Sequence, residues 1–171
     1  MKKNIIVIGF MGVGKGTVAR AYAKRYGVFN LDTDDLIESA LNKEVKEIFA
    51  RYGEPYFRAQ EQRCADWIAR SVKKTLISCG GGFYKVENLK DLGTVVLLDA
   101  SFEWIHNRLK TAKNSAEKLA KRPLFSDIEK AKALYAEREA AYREVADIIV
   151  SVEGKSMKEI CKEIKKRSKS L

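Results

Sequence analysis

The chain is poor in cysteine, histidine and proline, and each shortage closes off a class of function. Its three cysteines, Cys64, Cys79 and Cys161, are odd in number and far apart. Neither a disulfide framework nor a zinc site follows from them. The one histidine, His106, falls in a helical pattern and reads as helix surface. No Ser-His-Asp set and no cluster of metal ligands can be assembled around it. Two prolines leave no proline-rich linker, and no repeat or low-complexity stretch is present. No apolar run approaches the length that spans a membrane. Met1-Lys2-Lys3-Asn4 leads at once into an apolar strand, so no cleavable leader and no membrane partner are expected, and the location expected is cytoplasmic. A chain of 171 residues is large enough to bury a real core, and it reads as a single domain spanning 1–171.

Acidic residues are outnumbered by basic ones, 23 to 33, for a formal net charge of +10. Much of the excess lies in Lys155, Lys158, Lys162, Lys165, Lys166, Arg167 and Lys169. Met157, Ile160, Cys161 and Ile164 recur between them at helical spacing, so the segment predicts an amphipathic helix with a solvated basic face. A nucleic-acid surface would interleave aromatic with basic residues, and no such motif is present. The rest of the excess is expected to serve a small anionic substrate. No dimerisation stripe is evident, so a monomer is expected.

What the chain does have is Gly9-Phe10-Met11-Gly12-Val13-Gly14-Lys15-Gly16-Thr17, placed after the apolar run Ile5-Ile6-Val7-Ile8 and before a helical pattern that opens at Val18. Strand, glycine-rich turn and helix together are the context of a phosphate-binding loop. Glycines let successive N–H groups turn inward on an anion, and the helix adds its positive end. Lys15 supplies a point charge for the β- and γ-phosphates. Gly12, Val13, Gly14, Lys15, Gly16 and Thr17 are the expected nucleotide-binding residues. After the lysine such loops usually carry Ser or Thr, whose hydroxyl ligates Mg²⁺. Gly16 stands there instead, so a metal on that side is expected to be held through water. The Gly-Lys-Gly-Thr order resembles adenylate kinases and counts against a Ras-like switch; no Asn-Lys-x-Asp guanine motif is present either.

Further short apolar strands are predicted at Val28–Asp32, Leu76–Cys79, Val95–Asp99 and Ile148–Val150. Helices are predicted at Asp34–Leu41 and Glu44–Tyr52, from Pro55 onward, at Phe102–Leu109 and from Ser126, where Ser126-Asp127-Ile128-Glu129 reads as a capping box. Strands alternating with helices imply an α/β fold: a five-stranded parallel sheet with helices on both faces. Ligands in such sheets bind beyond the strands' C-terminal ends, which gathers the glycine loop, Asp32 to Asp34 and Gly80 to Gly82 along one edge.

Asp32 and Asp34 can hold Mg²⁺ through water or orient an acceptor hydroxyl, although Asp34 could equally cap a helix. Arg58 and Glu61, three apart, read either as a surface ion pair or as a guanidinium locked to meet a carboxylate. Gly80-Gly81-Gly82 are costly to order unless the backbone must approach something closely. The polar, basic stretch from Thr111 to Phe125 has the look of a lid that delivers Arg122 to a transition state, or of a basic loop. Arg138, among Glu137, Glu139 and Arg143, looks like solvated surface.

Taken together, Gly9-Phe10-Met11-Gly12, Asp32-Thr33-Asp34, Phe57-Arg58 with Glu61, the triple glycine, Arg122-Pro123-Leu124 and Arg138 with Tyr142 resemble the shikimate kinase family. The resemblance implies a three-layer P-loop kinase of the nucleoside monophosphate kinase type, with a substrate-binding region at about 33–61 and a lid at about 111–124. It implies transfer of the ATP γ-phosphoryl group to the 3-hydroxyl of shikimate, in the chorismate route to aromatic amino acids, with Mg²⁺. By the same resemblance Asp34 contacts the hydroxyls and takes the proton, while Asp32 holds the metal through water. Arg58 and Arg138 grip the carboxylate near Gly80, Gly81 and Gly82, Phe49 and Phe57 wall the pocket, Lys15 and Arg122 stabilise the moving charge, and Arg108 lies near the adenine. Two departures stand out: Gly16, and a lid longer and richer in lysine than the family's usual one. The alternatives to be tested are a gluconate or nucleotide kinase and a nucleotide-dependent nucleic-acid-binding protein.

Overall fold

Each apolar run becomes a strand of one parallel sheet: β1 (Ile5–Ile8), β2 (Asn30–Asp32), β3 (Leu76–Ser78), β4 (Thr94–Asp99) and β5 (Ile148–Ser151). The computed structural model describes residues 3–111 and 123–170. The expected lid falls almost wholly outside the described residues, and Arg122 with it. The strands lie in the order β2-β3-β1-β4-β5, every pairing parallel. Central β1 is buried at all four residues. Successive side chains of a strand point to opposite faces, so both faces of the sheet are covered there.

The covering helices are α1 (Lys15–Tyr26), α2 (Thr33–Leu41), α3 (Val45–Ser71), α4 (Leu89–Leu92), α5 (Phe102–Lys110), α6 (Ile128–Val145) and α7 (Met157–Arg167). The break expected before Pro55 is present inside α3, where Gly53 leaves helical geometry at φ 79° and ψ 172°. Proline has no N–H for the preceding turn and restricts the residue before it, so the helix restarts there. The α7 stripe is as predicted: Ile160, Cys161 and Ile164 are buried, and Ser156 caps the helix reciprocally with Glu159. Beside the main core, Ile37, Ile48 and Phe57 form a small separate cluster. It packs α2 and α3 against each other next to the sheet edge.

Three local expectations are corrected. The second strand is Asn30–Asp32 rather than Val28–Asp32, and Phe29 is 90% exposed. Val28 spends its N–H on Ala23 O as α1 terminates at left-handed Gly27, so the chain is still turning there. The cap of α6 is Asp127, which accepts the Lys130 N–H at 3.1 Å, because Ser126 is taken up by a 3₁₀ turn over Pro123–Ser126. His106 is half-buried rather than surface. It stacks on Phe102, its neighbour one turn back, and on Phe125, at 6.0 and 6.3 Å between centroids.

Candidate active site

The glycine loop runs from β1 into α1 with Gly12 at φ 87° and Gly14 at φ 110°, conformations an L side chain resists. Lys15 folds back over it, its Nζ donating to the carbonyls of Gly9 at 2.7 Å and Phe10 at 3.2 Å. Phe10 anchors the loop, meeting Phe102, Phe125 and Tyr135 edge-on. Arg108 reaches from α5 and donates from Nη1 to Gly12 O at 2.7 Å. Its guanidinium lies 3.0 Å from where a Cβ on Gly14 would stand. Arg108 therefore flanks the loop itself, and burial lowers its pKa. Val13 is buried and Thr17 is exposed.

At the end of β2 the two aspartates divide their labour. Asp32 Oδ1 accepts the Asp34 N–H at 3.0 Å and caps α2. The capping role considered for Asp34 thus belongs to Asp32, which leaves the Asp34 carboxylate for other work. Asp34 Oδ1 is buried with no hydrogen-bond partner. Burial, then the neighbouring Asp32, push its pKa from 3.8 to about 7, against an opposing pull from Lys15. Between them, fully buried Thr33 accepts the Gly80 N–H on Oγ1 at 2.9 Å and ties β2 to the exit of β3.

Each residue of the triple glycine faces side chains of the site. A Cβ on Gly80 would strike Asp34 Oδ1 and come within 3.2 Å of Glu61 Oε1. On Gly81 it would lie 3.3 Å from Arg138 Nη1, and on Gly82 it would land inside the Arg58 guanidinium. The bare backbone is the floor on which one carboxylate and two guanidinium groups rest. Gly82→Ala is expected to displace Arg58 and raise the acceptor KM roughly 10- to 100-fold with little change in the ATP KM. An acceptor KM within twofold of wild type would show that the floor tolerates a methyl group.

Arg58 is held from two sides. Its Nη1 donates to Glu61 Oε2 at 2.5 Å, and Glu61 is 1% exposed with its second oxygen unpartnered. Burial raises the Glu61 pKa while Arg58 opposes the rise. Nε and Nη2 of Arg58 both donate to Glu54 Oε1, at 3.0 and 2.7 Å. The guanidinium lies over the rings of Phe49 and Phe57, 6.0 and 5.8 Å from their centroids, and those rings are 4.7 Å apart.

Arg138 is not surface. It is 8% exposed, donates from Nη1 to Gly81 O at 3.2 Å, and keeps a buried Nε without a partner. Tyr142 donates to the same carbonyl at 2.6 Å. Both lie on the buried stripe of α6 with Ala131. Glu54 carries no signal of its own in the sequence pattern. The Ala131-Tyr135-Arg138-Tyr142 spacing was the signal available for Arg138 and Tyr142.

At Gly16 a Cβ would lie 3.8 Å from Asp32 Oδ2 and 3.4 Å from Arg20 Nη1. Asp32 therefore faces the loop at the position where other loops carry a hydroxyl. No group of three or more His, Cys, Asp or Glu that could hold a metal gathers among the described residues. A single carboxylate beside a phosphate loop suits Mg²⁺, which keeps several waters and takes its other ligands from phosphates.

A family model described as shikimate kinase matches residues 11–169. The chain belongs to the shikimate kinase family. The shikimate kinase of Helicobacter hepaticus is 41% identical over 162 residues, covering 95% of this chain and 93% of the relative. That of Geobacter metallireducens is 36% identical over 168 residues, covering 95% and 89%. Among solved structures, the Acinetobacter baumannii shikimate kinase in complex with shikimate superposes with a TM-score of 0.86 at 29% identity, covering 99% of this chain and 94% of that one. The Aquifex aeolicus shikimate kinase does so with a TM-score of 0.76 at 32% identity, covering 98% of each. As a member of the shikimate kinase family the chain is an ATP-using phosphotransferase, and its sheet is that of the P-loop kinases. Among its described residues no helix is long and apolar enough to cross a membrane.

Proposed function

We propose that this chain transfers the γ-phosphoryl group of ATP to the 3-hydroxyl of shikimate, giving shikimate 3-phosphate and ADP. The observation that carries this reading is the pairing of Asp34 with Arg58 and Arg138 across Gly80 to Gly82. A carboxylate poised near neutrality stands at one end of a bare backbone floor and two guanidinium groups stand at the other. An acceptor matched to them carries a hydroxyl at one end and, at the other, a flat carboxylate that two guanidinium groups can grip. Shikimate is such a molecule; AMP, with no carboxylate, is not.

Arg58 and Arg138 bind the carboxylate with charge-assisted hydrogen bonds, and Phe49 and Phe57 close the apolar side of the ring. This aims the 3-hydroxyl at Asp34. As the hydroxyl oxygen bonds to the γ-phosphorus, the bond from that phosphorus to the ADP oxygen breaks and the hydroxyl proton passes to Asp34. Lys15 exchanges its loop carbonyls for phosphate oxygens and, with Arg122, stabilises the charge spread over the transferring group. Gly12 to Thr17 cradle the phosphates, with Arg108 alongside. Mg²⁺ would be held by Asp32 through water, without a hydroxyl at Gly16, and supplies neutralisation of phosphate charge when bound. The chain works as a cytoplasmic monomer on a small molecule, with no nucleic-acid partner.

ADP release from Mg·ATP with shikimate, with gluconate and AMP as parallel acceptors, tests the reaction. Shikimate-dependent release supports it; release with another acceptor, or with none, overturns it. Arg58→Lys keeps the charge and loses the planar fork, so the shikimate KM is expected to rise about 10-fold. An unchanged KM would make Arg58 a structural residue.

A further inference from the structure

Glu54 occupies the fork of Arg58. Two guanidinium nitrogens, Nε and Nη2, converge on one of its oxygens at 3.0 and 2.7 Å, so Glu54 takes up the edge of the guanidinium that a ligand carboxylate would pair with. The third nitrogen, Nη1, donates to buried Glu61. Glu54 is a different kind of partner from Glu61. Its side chain is 55% exposed against 1%, and it sits between non-helical Gly53 and Pro55, where the backbone of α3 is broken. It can therefore swing away without disturbing a helix or the core. Its pKa is lowered first by the hydrogen bond from Arg58, with Lys85 and Arg138 adding to the pull. Glu54 thus lies in the field of both arginines that face Gly81 and Gly82.

We propose that Glu54 is an internal competitor for the acceptor's carboxylate: it neutralises the Arg58 fork until an anionic acceptor displaces it, and so sets acceptor affinity. The inference rests on the reading that Arg58 receives the acceptor's carboxylate. An ion pair that merely orients Arg58 makes the opposite prediction, because removing an orienting group weakens binding.

The test compares wild type with Glu54→Gln, a substitution at an exposed position that keeps the side chain's size. Shikimate affinity is measured by calorimetry without nucleotide, and KM and kcat by ADP release; the methyl ester of shikimate serves as an uncharged probe. Glu54→Gln is expected to tighten shikimate binding about 3- to 5-fold, the scale of a partly exposed ion pair. The KM should fall in parallel, kcat should stay within twofold, and the weak affinity for the ester should not improve. Weaker or unchanged shikimate binding in a variant with the wild-type melting temperature would overturn the proposal. Equal tightening toward ester and acid would do so as well, since displacement of a carboxylate requires a charged competitor. If wild type itself fails to bind shikimate, the acceptor assignment fails first, an outcome distinct from both.

Discussion

Asp34→Asn is expected to lower kcat about 10³-fold while leaving the ATP affinity near wild type. The magnitude is that of a lost general base whose position is otherwise kept. An amide has the shape of a carboxylate but cannot accept the hydroxyl proton. The capping of α2 survives, because Asp32 rather than Asp34 receives the Asp34 N–H. The loss should therefore appear in kcat and not in folding. A loss of less than 10-fold would remove Asp34 from proton transfer.

The same substitution carries a second, opposite signature. Burial and Asp32 raise the Asp34 pKa to about 7 in the folded chain, against 3.8 ordinarily. Between those values the folded state holds a proton that the unfolded state has released. Stability contributed by the protonated form therefore falls as pH rises from about 4 to 7, and above 7 the full cost of a buried charge is present. Three pKa units correspond to at most about 4 kcal/mol. Asp34→Asn removes this cost, so the melting temperature at pH 8 should rise by roughly 5–10 °C, and the gain should fade as pH falls toward 4. Wild-type kcat should for the same reason decline as pH drops through about 7. A variant that is inactive and also less stable at pH 8 would mean that Asp34 is structural. Gly80 is part of this arrangement, because it brings bare backbone against the unpartnered Oδ1.

The difference between what the sequence pattern reveals and what it hides follows from where each residue's partners lie along the chain. β1 and β4 are legible because a central parallel strand must be apolar at every position. β2 is an edge strand of three half-buried residues, and its limits blur into the turn that follows α1. The loop from Gly9 to Thr17 carries its whole function in contiguous sequence. The triple glycine signals a close approach, but the three groups that approach come from α2, α3 and α6, and only folding pairs Gly80 with Asp34, Gly81 with Arg138 and Gly82 with Arg58. Arg138 is hidden by its charged neighbours Glu137, Glu139 and Arg143, although Ala131 and Tyr142 mark the same face as buried. Glu54 is hidden for another reason. A glutamate four residues before an arginine is ordinary on any helix, and nothing in the spacing distinguishes a pair at a binding site from a pair on the surface.

Replacement of Lys15 is expected to abolish transfer, and the way in which it fails separates two roles. In the structure Lys15 Nζ donates to Gly9 O and Phe10 O, so the lysine both carries charge and closes its own loop. If charge on the phosphoryl group is its main contribution, Lys15→Ala and Lys15→Met should each lower kcat by at least about 10³-fold, since the interaction strengthens in the transition state. ATP affinity should fall by a much smaller factor, because the backbone N–H groups and the α1 terminus still bind the phosphates. If loop closure is its main contribution, both variants should lose ATP binding and thermal stability together, and kcat extrapolated to saturating ATP should recover. The core contacts of Phe10 with Phe102, Phe125 and Tyr135 hold the loop independently of Lys15, so the first pattern is the one expected. Near-normal turnover in either variant would sink the assignment of this loop as the phosphate site.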